Sequence, residues 1–188
     1  DSTYDLDHSW VKQLLKRIHA RGHEIGLHPS YNTYQDVSRT KTELENLQRV
    51  ASDMAIKQTS WGGRQHFLRW KNPITWQIGE DCNLSYDSTL GFADQVGFRC
   101  GICYEYPVFN LETRQPLNLR ERPLIVMEAS LRGYTNLPIR VLYEKIRILS
   151  DACHKYNGDF SLLWHNSSLA RNIEKDWYGK TVSKVAPV

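Results

Sequence analysis

The chain has 188 residues, 40% of them hydrophobic and 24% charged, and a formal net charge of +3. That balance suits one globular domain spanning residues 1–188, long enough to bury a core, and excludes a disordered or fibrous chain. Lys and Arg form no run, which argues against a nucleic-acid partner, and no stretch approaches the ~20 apolar residues of a membrane span.

Helices and short strands alternate along the chain. Val11, Leu14, Leu15 and Ile18 share one helical face, with Asp7 placed as N-cap and Gly22 just past the end. "EIGLH" then reads as a strand. Thr40 and Glu43 have capping-box spacing and open a helix that buries Leu44, Leu47, Ala51 and Met54. "TSWGGR" is the next strand, a helix starts near Pro73, and "LSYDSTL" follows as a strand. Residues 91–122 read as aromatic loops with short strands. "PLIVMEAS" is a β-rich run, and Ile139, Leu142, Ile146, Leu149 and Cys153 mark a long helix beginning near Pro138. "DFSLLWH" is a buried strand, and a weaker helix closes the chain. Continuous apolar strands between helices predict a mainly parallel α/β sheet or barrel.

Four cysteines, Cys82, Cys100, Cys103 and Cys153, are too few and too scattered for a small secreted disulfide scaffold; they lean toward a reducing cytoplasm and leave the compartment open. Cys100 and Cys103 have CxxC spacing, but a redox CxxC opens a helix, and "GFRCGICYEYPVF" is β-like.

Several strands end on a polar residue: His28 after Ile25-Gly26-Leu27, Arg64 after Gly62-Gly63, Asp87 after Tyr86, and His165 after Leu163-Trp164. Sites in parallel sheets and barrels form at the carboxyl ends of strands, where the loops converge. These four side chains are therefore expected in one hollow. Asn32, four residues beyond His28, can reach the same metal ion across a tight turn; the same spacing serves equally as a turn in which Asn32 satisfies its own backbone. Tyr31, Tyr34, Trp61 and Trp70 are aromatics that serve either as core and rim packing or as stacking surfaces for a ring-shaped ligand.

These motifs, in this order, resemble the polysaccharide deacetylases, the NodB-homology domain of carbohydrate esterase family four. The family's GHEIGNH and following T/S-x-x-H stand here as "GHEIGLHPSYN", its R-x-P-x-aromatic loosely as "RQHFLRW", its YDSS as "YDST" and its LxxH as "LLWH". The variants "GLHPSYNT", "YDSTLGFADQVGFRCG" and "LLWHN" are similar to a branch found in bacterial polysaccharide gene neighbourhoods.

The resemblance implies a distorted (β/α)7 barrel and an amide hydrolase that removes acyl groups from N-acetylated sugars or glycans. It implies one divalent ion, zinc by expectation, polarising the acyl carbonyl and a bound water, with an aspartate as base. By residue, His28 matches the first metal histidine and Asn32 stands in place of the second. Arg64 matches the arginine that holds the catalytic aspartate, Asp87 is placed to orient the acid, and His165 matches the acid itself. Tyr31, His66, Leu163 and Trp164 fall on the substrate side, Leu163 and Trp164 near the acetyl pocket.

The chain departs from the pattern in three ways. The strand ending in Asp-Asp, which supplies the base and a metal ligand, is absent, since Asp5 and Asp7 only precede a helix. His66 replaces the third-motif proline, and Asn32 replaces a ligand. A barrel without its first strand would leave two sheet edges bare, so the expectation is that the native polypeptide continues upstream and that this chain is catalytically incomplete. The alternative is a non-catalytic deacetylase-like domain that binds carbohydrate or a partner protein.

Overall fold

The computed structural model describes residues 5–133, 137–170 and 172–185, without the side chains of residues 173 and 174. The chain is mixed α/β and divides into two compact units, Asp1–Thr89 with Tyr106–Glu121, and Leu90–Glu105 with Arg122–Val188. Among the described residues no sheet closes into a barrel; there is one four-stranded and one two-stranded sheet.

The first unit holds α1 (Ser9–Ala20), α2 (Val37–Asp53), β1 (Gly62–Gly63), α3 (Ile74–Asp81), β2 (Tyr86–Asp87), β3 (Tyr106–Asn110) and β4 (Gln115–Glu121). Its sheet runs β1-β2-β4-β3, with β1, β2 and β4 parallel and β3 an antiparallel edge. Leu27 adds a parallel bridge to Gly63. One row across the sheet is therefore Leu27, Gly63, Asp87 and Glu121. Three of the four polar strand ends expected from the sequence fall on or just after that row.

The expected strand at "EIGLH" is only that bridge. Both main-chain groups of Ile25 are taken by one side chain, Gln58, whose amide oxygen accepts from the Ile25 N–H at 2.9 Å while its nitrogen donates to the Ile25 carbonyl at 2.7 Å. A glutamine thus replaces the ladder a neighbouring strand would supply. At β1, side chains are excluded by close approach: a Cβ on Gly62 would lie 2.0 Å from the Tyr86 ring.

Two helix starts differ from expectation. The cap of α1 is His8, whose side chain accepts from the Trp10 N–H, while Asp7 pairs with Lys12 and Arg49. Helix α2 begins before the Thr40 capping box, at Val37, because Asp36 takes an extended conformation and accepts from the Arg39 N–H at 3.0 Å. Thr40 sits inside the helix, its hydroxyl donating back to the Asp36 carbonyl at 2.8 Å. In α2 Leu44, Leu47 and Ala51 are buried as read, with Val50 added and Met54 only half-buried, whereas the α1 face of Val11, Leu14, Leu15 and Ile18 is half-buried throughout; Leu119 of β4 is fully buried.

The second unit holds β5 (Val126–Met127), α4 (Glu128–Gly133), α5 (Ile139–Lys155), β6 (Leu162–Leu163) and α6 (Asn172–Val185). β5 and β6 pair in parallel, Val126 with Leu162 and Met127 with Leu163. Around them Ile125, Val126, Leu131, Leu142, Ile146, Cys153, Cys103 and Trp177 form one apolar cluster. Cys103 follows bends and opens no helix. Cys103 and Cys153 are core residues, and burial pushes the Cys153 thiol up to about 12, the wrong direction for a reactive thiol.

Candidate functional site

In the first unit the chain leaves the sheet at His28 and at Arg64, side by side. The Arg64 N–H donates to the Leu27 carbonyl at 2.9 Å, and the Arg64 carbonyl lies 2.8 Å from His28 Nδ1. A carbonyl only accepts, so Nδ1 carries the proton and Nε2 the lone pair, the arrangement found in metal-ligating histidines. The Arg64 side chain turns the other way, donating from Nε to the Ser88 carbonyl at 2.8 Å and from Nη2 to Ser88 Oγ at 2.7 Å. Burial draws its guanidinium below the ordinary range, while Asp87, Tyr86 and Glu121 pull it back.

Asp87 ends β2 beside Arg64 and is buried. Thr89 Oγ1 donates to its Oδ1 at 2.5 Å, and among the described residues no donor reaches its Oδ2. Its cross-strand neighbour is the fully buried Glu121, which also accepts from Trp76 Nε1 at 3.0 Å. Asp87 and Glu121 are two buried carboxyl groups on neighbouring strands that act on each other. Desolvation accordingly pushes Asp87 up to about 6, against the downward pull of Thr89, Glu121 and Arg64.

Asn32 is held differently from a metal ligand. Its Oδ1 accepts from Arg69 Nη1 at 3.1 Å, and the same nitrogen donates to the Tyr31 carbonyl at 2.6 Å. The Arg69 guanidinium lies between the rings of Tyr31 and Tyr34, 3.8 and 3.9 Å from their centroids. A cation already occupies the oxygen that a metal would need. His66 is close to His28, with ring centroids 5.2 Å apart, and Tyr31 and Phe67 stand edge-on to it. Of the other aromatics, Tyr31 is exposed and Trp61 is buried.

The second unit carries His165, two residues past β6. Its Nδ1 lies 2.8 Å from Oε1 and 3.0 Å from Oε2 of Glu128, and its backbone N–H donates to Oε1 at 3.0 Å. Ser168 Oγ donates to the same oxygen at 2.9 Å. Glu128 is buried to 3% of its side-chain surface, whereas His165 keeps 47% exposed. The carboxylate fixes the tautomer and aims Nε2 away from it. Orienting His165, the role expected of Asp87, is thus performed by Glu128, because Glu128 directly follows β5, the strand paired with β6. Trp164 packs on Trp177 and Tyr178, centroids 4.5 and 5.2 Å away, and Leu163 is half-buried in β6.

Glu128, Glu121 and Arg69 were missed in the sequence. Glu128 follows the same rule as the residues read from the sequence, a polar group closing an apolar strand, and "PLIVMEAS" carries that signal; Glu121 ends the largely polar "QPLNLRE" and carries none. Arg69 has no such mark. Among the described residues no group of three or more His, Cys, Asp or Glu gathers as a metal set. No known family's sequence model matches the chain, and no curated protein matches it.

Proposed function

We propose that this chain is the body of a metal-dependent hydrolase of the polysaccharide deacetylase type, related to the distorted (β/α)7 barrels and removing acyl groups from N-acetylated sugars. The observation that carries this reading is the buried Glu128 carboxylate gripping His165 through Nδ1, with Nε2 left as the working nitrogen. A ring held this way suits donation of a proton to a departing amine, the role the motif resemblance gives His165. His28 has the chemistry of a metal ligand, with its tautomer set by the Arg64 carbonyl. A divalent ion bound there would polarise the acyl carbonyl and its attacking water. Arg64, buried and tied to Ser88, is suited to hold a carboxylate in place.

The test is acetate release from N-acetylglucosamine oligosaccharides with added Zn²⁺, on protein that also carries the Asp-Asp strand this chain lacks. His165→Ala is expected to lower kcat by about 10²–10⁴-fold. Glu128→Gln, a positioning change, is expected to lower kcat and shift the pH profile with KM little altered. A second reading, carbohydrate binding without turnover, is favoured by the Asn32–Arg69 contact, since it occupies a position that a catalytic metal site would use. Measurable oligosaccharide affinity with no acetate released would select it.

A further inference from the structure

Arg69 carries no mark in the sequence, yet four contacts fix its guanidinium. The rings of Tyr31 and Tyr34 lie 3.8 and 3.9 Å from it. Nη1 donates to the Tyr31 carbonyl at 2.6 Å and to Asn32 Oδ1 at 3.1 Å, which accounts for both of its hydrogens. The Nε–H and the two hydrogens of Nη2 remain, and among the described residues they meet no acceptor. Glu43, which holds the same loop, directs its carboxylate elsewhere, to the Ser30 N–H at 2.8 Å and Arg39 Nε at 3.2 Å. The Nε/Nη2 edge of an arginine is a fork matched to the two oxygens of a carboxylate. A guanidinium already fixed in place loses little further freedom in using it.

A second observation comes from Phe67. Its ring is 76% exposed, and its backbone takes a left-handed φ of 55°, followed by Leu68 at 52°. Two successive non-glycine residues in that region are costly, and strain that holds an aromatic ring out in water points to a role outside folding. Phe67 stands edge-on to Tyr31, centroids 5.8 Å apart, so the open ring and the open guanidinium edge flank the same tyrosine. One sugar residue, or two adjacent ones, can span them. Through His66, 4.6 Å from Phe67 and 5.2 Å from His28 between ring centroids, this surface continues to His28.

We propose that Phe67, Tyr31 and Arg69 form a subsite for an acidic sugar, a pyranose carrying a carboxylate, with its C–H face on Phe67 and its carboxylate on the Arg69 fork. The substrate class narrows from N-acetylated glycans in general to those in which uronic acid residues accompany the N-acetylated ones. The inference rests on the reading of this rim as a carbohydrate site. It is measured as a preference in binding, so it can fail while acetate release from neutral oligosaccharides stands, and hold where no acetate is released.

The experiment is calorimetric titration of the full chain with a tetrasaccharide of alternating glucuronic acid and N-acetylglucosamine, and with the same tetrasaccharide after reduction of its carboxyl groups to primary alcohols. The acidic form is expected to bind at least about tenfold more tightly than the reduced form, and the ratio to shrink as salt rises. Arg69→Gln is expected to bring the ratio to about one, and Arg69→Lys, which keeps the charge and loses the fork, to restore it only in part. Phe67→Ala is expected to weaken both ligands by a similar factor and to leave the ratio in place. A ratio near one in the parent overturns the proposal, as does the absence of binding by either ligand up to millimolar concentration. So does an unchanged ratio in Arg69→Gln with the circular dichroism spectrum of the parent, which makes Arg69 a brace for the loop. Tighter binding of a sulfated chitotetraose than of the acidic tetrasaccharide overturns it in favour of sulfate esters.

Discussion

At Asp87, burial outweighs every contact that favours the charged form. Thr89, Glu121 and Arg64 all pull the carboxyl down, and it is still pushed up to about 6. In the unfolded chain the same group titrates near its ordinary value of ~3.9, so the folded protein binds this proton more tightly. The resulting stability is complete below about pH 4 and is lost as the pH rises through about 6. Unfolding free energy is therefore expected to fall by on the order of 2–3 kcal/mol across that window. Asp87→Asn removes the titration and keeps an acceptor for Thr89, so its urea midpoint should change less between about pH 4 and 6.5 than the parent's. Equal slopes in the two proteins would assign the titration to another group. Single residues of this kind were only half legible. His28, Arg64, Asp87 and His165 were found because each closes an apolar strand; what each one touches was not. The partners come from elsewhere in the chain, Glu128 at the start of α4 for His165 and Glu121 at the end of β4 for Asp87, 37 and 34 positions away.

Elements were read well where one face repeats and poorly where a side chain does the work of backbone. Helix α5 begins at Ile139, one residue after the proline that marked it, and buries Leu142, Ile146 and Cys153 of the face read from its spacing, while Leu149 is half-buried and Ile139, in the first turn, is exposed. Strands β1, β2, β5 and β6 came in the expected order but pair over fewer residues, with Gln58 capping Ile25 in place of a ladder, while the longest pair, β3 with β4, lies in the stretch read as loops with short strands. Helix α5 ends where Gly158 donates to the Cys153 carbonyl at 2.8 Å and Asp159 donates to the Cys103 carbonyl at 2.7 Å. A Cβ at Gly158 would lie 2.2 Å from Cys103 Sγ and 3.0 Å from its carbonyl oxygen. Backbone cannot retreat as a flexible side chain does, so Gly158→Ala is expected to cost about 1–3 kcal/mol in urea unfolding. A neutral result would show that the loop bearing Cys103 yields freely.

For the molecule as a whole, composition foretold an apolar core, and each compact unit has buried apolar residues of its own. Among the described residues of the second unit Trp177 is the largest fully buried side chain, packed on Trp164 with centroids 4.5 Å apart, yet its indole N–H meets no acceptor there. Trp177→Ala should cost about 3–5 kcal/mol through lost contacts and the cavity left behind. Trp177→Phe keeps a ring and removes the unsatisfied N–H, so about half that cost or less is expected from chemical denaturation. Similar losses in both variants would mean that ring size, not the stranded N–H, dominates.

By itself the sequence determined the alternation of helix and strand, the faces they bury and the polar residues that close the strands. These are local properties, set by periodicity and by the chemistry of neighbouring residues. Only the tertiary structure decided that Glu128 holds His165, that Arg69 claims the oxygen of Asn32, and that His66 stands opposite His28. Each of those pairings depends on strand register and loop path, which bring together groups that no local pattern in the chain connects.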